Sequence, residues 1–154
     1  MQNQARKQIT LYSDGSSLGN PGPGGYGGIL EFKGVRKEYF GGDAHTTNNR
    51  MAIRSALEGL ALLKRPCRVR FVSDSQYLVK GMTQWIQGWK TRAWKRKGGP
   101  IENLDLWKEL EAQAARHRVS WYWVRGHAGN PRNEYANHVA TRAAREQDAS
   151  GGLI

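Results

Sequence analysis

The sequence predicts an α/β domain built on one five-stranded mixed sheet flanked by helices. Two features of the chain predict it. Roughly the first forty residues carry three period-two strand patterns and no helical period. After them, stretches with helical spacing alternate with two short β-rich apolar runs, the pattern of a sheet covered by helices. The 154 residues, 38% hydrophobic and 24% charged, suit one globular domain with a sizeable core.

Taken in order, Ile9, Leu11 and Ser13 alternate with Thr10, Tyr12 and Asp14, which reads as the first strand. The stretch SDGSSLGNPGPGGYGG follows, and its segment Gly22–Gly27 formally matches G-x-G-x-x-G. A dinucleotide loop must open a helix, yet Tyr26–Phe32 reads as another strand. The prolines also remove N–H groups a phosphate would need, and no Gly-Lys-Ser/Thr follows. The glycine run is therefore expected to be a turn between strands.

Strands are expected at Gly27–Phe32 and Val35–Gly41, with Gly34 in the hairpin between them. Thr46, Thr47 and Asn48 are capping types ahead of Ile53, Ala56, Leu57, Leu60 and Leu63 at helical spacing, and Pro66 ends that helix. Val69–Ser73 is the fourth strand. Asp74-Ser75 opens a helical stretch to about Trp85. Leu104–Ala115 is helical in composition, and Val119–Val124 is an aromatic-rich strand. Asn130-Pro131 starts a last helix, expected to end near Arg145. The domain is thus placed at residues 1–146, with 147–154 as a flexible tail.

Charge narrows the function. Lys and Arg number 24 against 13 acidic residues, a net +11, which points to a polyanionic partner. No apolar run approaches membrane-spanning length, and Met1–Thr10 lacks the apolar stretch of a signal peptide. Cys67 is the only cysteine, which excludes an intrachain disulfide or a cysteine zinc cluster. A cytoplasmic monomer is the expectation.

Asp14 and Asp74 each end a predicted strand, where open α/β sheets build their sites. Each could simply cap a turn or helix. Together they could share a hard divalent cation, which takes oxygen ligands. Six motifs occur here in one order: Ser-Asp-Gly-Ser, Gly-Asn-Pro-Gly-Pro-Gly-Gly, Thr-Thr-Asn-Asn-Arg-Met, Ser-Asp-Ser-Gln-Tyr, Gln-Trp-Ile with Gly-Trp-Lys, and Val-Arg-Gly-His-Ala-Gly. That order, from about Gln8 to Ala144, resembles bacterial ribonuclease H of type 1.

The resemblance implies endonucleolytic cleavage of the RNA strand of an RNA–DNA hybrid by a two-metal mechanism, with Mg²⁺ as cofactor and Mn²⁺ as a substitute. It implies that Asp14 bridges the two ions and Asp74 ligates one. His127, which taken alone is a solvated loop histidine, falls where the family shuttles protons or helps product leave. Two positions depart from the pattern. Ala52 stands where the family has a glutamate, and Asn137 where it usually has an aspartate. Asn retains a neutral carbonyl ligand, whereas Ala offers none. Glu58 lies six residues on, about 9 Å along a helix and far round its axis, so it is not a substitute. Turnover is expected to be weakened or abolished; the alternative is an inactive hybrid-binding module.

The same resemblance assigns a substrate surface. Asn20, Asn48, Asn49 and Gln76 would line the minor groove, reaching base edges and 2′-hydroxyls. Thr47 and Arg50 would form a DNA-phosphate pocket. Residues 85–97, WIQGWKTRAWKRK, interleave Trp85, Trp89 and Trp94 with Lys90, Arg92 and Lys95 among other cations. They match a basic protrusion that grips DNA, its cations too crowded for neighbouring acids to neutralise, with Thr91 in place of a familiar lysine. Trp85 and Trp89, at i and i+4, could equally pack a small local core.

Overall fold

The computed structural model describes residues 8–126 and 130–152, the side chains as far as 149. Strands β1 (Gln8–Ser17), β2 (Gly22–Phe32) and β3 (Val35–Thr46) form an antiparallel meander. Helix α1 (Asn48–Ala61) then carries the chain across to β4 (Arg68–Ser73), which pairs parallel to β1. Next come α2 (Gln76–Lys80), a π-helical segment (Gly81–Trp85), α3 (Ile86–Thr91) and α4 (Leu104–Ala114). β5 (Arg118–Trp123) pairs parallel to β4, and α5 (Pro131–Gly152) closes the fold. The sheet order is β3-β2-β1-β4-β5, the expected five-stranded mixed sheet.

The two faces of the sheet are covered differently. Leu11, Val69 and Phe71 point to one side, where Ile53 and Leu60 of α1 and Trp107 and Leu110 of α4 complete a continuous core. On the other side α5 lies over β1, β2 and β3. Its Ala140 and Ala144 are fully buried there, and a Cβ on Gly25 would come within 2.4 Å of the Ala140 carbonyl oxygen. A side chain at 25 would hold the helix away from the sheet.

This close approach corrects the reading of the glycine run. Gly22–Gly28 belongs to β2, and the turn is confined to the residues just before it. Glycine weakens a strand in isolation, but here the missing side chains let a helix settle directly on the backbone. Two helices also outrun their expected ends. Beyond Trp85 the helical path continues through α3 to Thr91, after a wider turn in which Gly81 meets the Trp107 ring. α5 continues to Gly152 rather than stopping near Arg145, with Ala143 and Ala144 still burying a face against the sheet.

Candidate active site and nucleic-acid interface

β1 and β4 run side by side and in parallel as far as Ser13 and Ser73, so the next residues, Asp14 and Asp74, emerge together where that ladder stops. Asp14 does not end its strand as the sequence suggested, because β1 stays paired with β2 to Ser17. Asp14 is only 5% exposed. Its Oδ2 accepts a hydrogen bond of 2.6 Å from Asn137 Nδ2 on α5, and its Oδ1 accepts one of 2.8 Å from the Gly15 amide. Burial, together with the neighbouring Asp74 charge, pushes the Asp14 carboxyl up to about 7, against the lowering effect of those two donors. A carboxyl raised to about 7 is only about half ionised at neutral pH.

The backbone around Asp74 is fixed by local hydrogen bonds, and no described residue forms a salt bridge with its carboxylate. Ser73 Oγ accepts from the Ser75 amide at 3.1 Å, and Ser75 Oγ caps α2 by accepting from the Leu78 amide, also at 3.1 Å. Trp123 Nε1 donates to the Asp74 carbonyl at 3.0 Å, tying β5 to the site. Gly126 passes so close that a Cβ there would lie 2.9 Å from Asp74 Oδ2. His127 lies outside the described residues.

The Ala52 position is brought to the same place by Gly15. A Cβ on Gly15 would fall 2.5 Å from the Ala52 amide nitrogen, so the first turns of α1 rest on the β1 end. Thr47 caps α1 by accepting from the Arg50 amide at 3.2 Å, and Asn20 Oδ1 accepts from the Asn48 amide at 3.0 Å. Ala52 is buried there and offers a methyl group. Among the described residues no three His, Cys, Asp or Glu side chains cluster to hold a metal. The oxygen donors at hand are the Asp14 and Asp74 carboxylates and the Asn137 amide. That set fits one hard cation. It is too sparse in charge to balance two.

Sequence reasoning passed over Gly15 and Gly126, whose lack of a side chain lets the other elements reach the carboxylates. Asp-Gly after a strand was the available signal for the first. Glu58, by contrast, pairs with Arg54 on the outer side of α1, in keeping with the helix geometry that removed it from consideration.

The wider surface divides into exposed and engaged residues. Asn20, Asn48, Asn49 and Gln76 are exposed at the loop and helix starts around the carboxylates. Arg50 is engaged: its guanidinium makes a two-pronged contact with Asp105, at 3.1 and 2.8 Å, and a further bond to Asn103 Oδ1. Trp85 and Trp89 pack with Tyr77 and Trp107, their rings 5.2–6.0 Å apart, so the local-core alternative describes them. Trp94 lies against the same core, beneath Lys108. Lys90 pairs with Glu111 at 2.6 Å. For that cation the expectation of no acidic neighbour fails, because the acid comes from α4, remote in sequence. Arg92 and Lys95 are exposed, as is Thr91.

Comparison with known proteins agrees with this architecture. The RNase H family profile matches residues 6–145. The chain is 59% identical to ribonuclease H of Sulfurovum sp. (strain NBC37-1), covering 97% of this chain and 99% of that protein. It is 55% identical to ribonuclease H of Pelobacter propionicus, over 90% of this chain and 85% of the relative. Among solved structures it resembles LC9-RNase H1, described as a type 1 RNase H with the type 2 active-site motif. That match has a TM-score of 0.85 and 45% identity, covering 92% of this chain and 74% of the other. LC11-RNase H1, solved with an RNA/DNA hybrid, shares the fold at a TM-score of 0.68 and 20% identity, over 90% of this chain and 97% of that one. Profile, relatives and fold coincide over the segment that carries Asp14 and Asp74, and on those grounds the chain belongs to the ribonuclease H family.

Proposed function

We propose that this chain binds RNA–DNA hybrids and cleaves their RNA strand with much reduced turnover, using Mg²⁺, with Mn²⁺ as a substitute. The observation that carries the proposal is the composition of the site. Asp14 and Asp74 stand together where the β1–β4 ladder stops, while Ala52 occupies the neighbouring place on α1 and gives no ligand. Asp14, Asp74 and the Asn137 carbonyl would hold the cation. When bound, a divalent ion supplies an acidified water and neutralises phosphate charge.

The protein's own part follows from the hydrogen bonds. Asp14 must lose its proton, and Asn137, whose NH₂ now faces Asp14, must turn its oxygen inward. The exposed amides of Asn20, Asn48, Asn49 and Gln76 are suited to read sugar and base edges in the groove. His127 would assist proton transfer or product departure by family resemblance. Thr47 and Arg50 would receive a DNA phosphate, Arg50 giving up part of its contact with Asp105. Arg92 and Lys95 are free to track the backbone, while Lys90 would first have to leave Glu111. Description of a 45% identical structure as carrying another type's active-site motif supports variation of this acidic set within the fold.

The test is cleavage of a labelled hybrid by this chain and its Ala52→Glu variant. The variant is expected to cleave at least about 100-fold faster, near 3 kcal/mol of transition-state stabilisation. Adding Asn137→Asp should then lower the Mg²⁺ concentration for half-maximal rate, with non-additive effects because the residues share one site. Equal rates with Ala or Glu at 52 would refute the missing-ligand reading. A second reading, a hybrid-binding module without chemistry, draws on the same Ala52. It predicts no cleavage by this chain at any Mg²⁺ or Mn²⁺ concentration.

A further inference from the structure

Among the described residues α5 packs on β1, β2 and β3 and makes no comparable contact with β4 or β5, whose face on that side exposes Arg70, Arg118, Ser120 and Tyr122 while Val72 is buried. Strand alternation identifies what is left open. Val69, Phe71 and Trp121 pack toward α1 and α4, so Arg68, Arg70 and Val72 of β4 and Arg118, Ser120 and Tyr122 of β5 face the other way. Asp14 shares this face, because it meets Asn137 of α5.

The open face is basic and aromatic, and its charge is unbalanced. Arg68 is registered directly against Arg118, and Arg70 follows two residues along. Like charges directly opposite on a sheet repel. None of the three forms an ion pair with a described carboxylate. Arg68 Nε is buried and has no hydrogen-bond partner. Arg70, Arg118 and Ser120 are exposed, and Tyr122 is 45% exposed with the Arg70 guanidinium 4.9 Å from its ring centre. Arginine planes and a tyrosine ring on an open sheet are the means by which proteins stack and neutralise unpaired nucleotides.

The face leads toward the carboxylates, with buried Val72 as the floor between them. Tyr12 and Val72 are a registered pair two residues before Asp14 and Asp74, and Val72 is registered with Tyr122. Arg70 lies four residues before Asp74, about 13 Å along the strand. We infer that the open face of β4 and β5 is a track for single-stranded nucleic acid, holding the unpaired tail of a strand whose duplex part lies at Asp14 and Asp74. The inference rests on the hybrid-nuclease reading for where the tail begins. An unpaired strand, with its bases free to stack on Tyr122 and the arginine planes, suits this face better than a duplex whose bases are already stacked.

Fluorescence anisotropy of short hybrids, in Ca²⁺ to suppress cleavage, tests the track. One hybrid is blunt, and others carry a single-stranded extension on either end of either strand. At least one extension should tighten binding several-fold. The double variant Arg70→Glu/Arg118→Glu should lose that gain and bind the blunt hybrid as before. With two phosphate contacts removed, the salt slope for the tailed hybrid should become shallower by about 1.4. Tyr122→Ala, which carries no charge change, should lose part of the gain and serves if the double variant loses its circular dichroism spectrum. No gain from any extension overturns the track, as does a gain that both variants retain. Failure to bind blunt hybrid counts against the hybrid reading instead. In that case free oligonucleotide, bound by this chain and not by the variants, still supports the track, and equal binding overturns it. An acidic peptide bound at these arginines in preference to oligonucleotide would make the face a protein-docking surface and overturn the inference.

Discussion

Asp14 concentrates the cost of the site in one side chain. Its carboxyl stands at about 7 in the folded chain against an ordinary 3.8, raised first by burial and then by Asp74. Between those values the folded state retains a proton that the unfolded state has released. This group's contribution is therefore most favourable below about pH 4 and declines as pH rises to about 7, by up to about 4 kcal/mol. In chelator, Asp14→Asn should melt at a higher temperature than this chain at pH 8, and the difference should vanish near pH 4. Mg²⁺ should raise the melting temperature of this chain and not of the variant. A pH-independent difference between the two melts would mean that Asp14 does not carry the buried proton. The sequence singled out Asp14, Asp74 and Ala52 through its motifs and Asn137 through the family resemblance, and the fold brings Asp14 and Asn137 into contact. The bond from Asn137 to Asp14 was not legible, because it joins residues remote in sequence and depends on how closely α5 meets the sheet.

At the scale of elements, period-two and helical patterns located all five strands and the other helices but not α3, and boundaries moved where tertiary packing overrode local preference. Gly22–Gly28 has turn composition and is nevertheless strand, with α5 resting on the bare backbone of Gly25 and Gly27 and Tyr39 on that of Gly28. The helical path beyond Trp85 persists because Trp89 docks on Trp107, a partner no local window contains. The same docking forces an awkward exit: Ala93 and Trp94 take positive φ values of 56° and 62°, and the Trp94 amide bonds back to the Trp89 carbonyl. A residue with a Cβ is strained in that region by roughly 1–2 kcal/mol. Ala93→Gly should recover part of this, on the order of 0.5–1 kcal/mol by denaturant unfolding with an unchanged m-value. A destabilised variant would show that the left-handed turn carries no relievable strain.

For the molecule as a whole, the +11 charge makes hybrid binding an electrostatic problem before it is a chemical one. Binding should survive the loss of turnover that Ala52 brings, prefer hybrid to duplex DNA, and weaken with a log–log salt slope of about −3 or steeper. Titrations at several salt concentrations that rank hybrid and DNA equally would remove the basis for substrate recognition. Net charge announced this partner class from composition alone, but it did not reveal where charge is already spent, as in Arg50 with Asp105 and Lys90 with Glu111. The seat of α5 has a further consequence. Asn137 reaches Asp14 only because, one helical turn later, Ala140 rests on the bare backbone of Gly25. The glycine acts as a fulcrum and the helix as a lever, so a methyl group added inside the sheet would be felt as a misplaced amide at the carboxylates. Selection on catalysis in such a chain therefore reaches into strand positions that touch neither metal nor substrate.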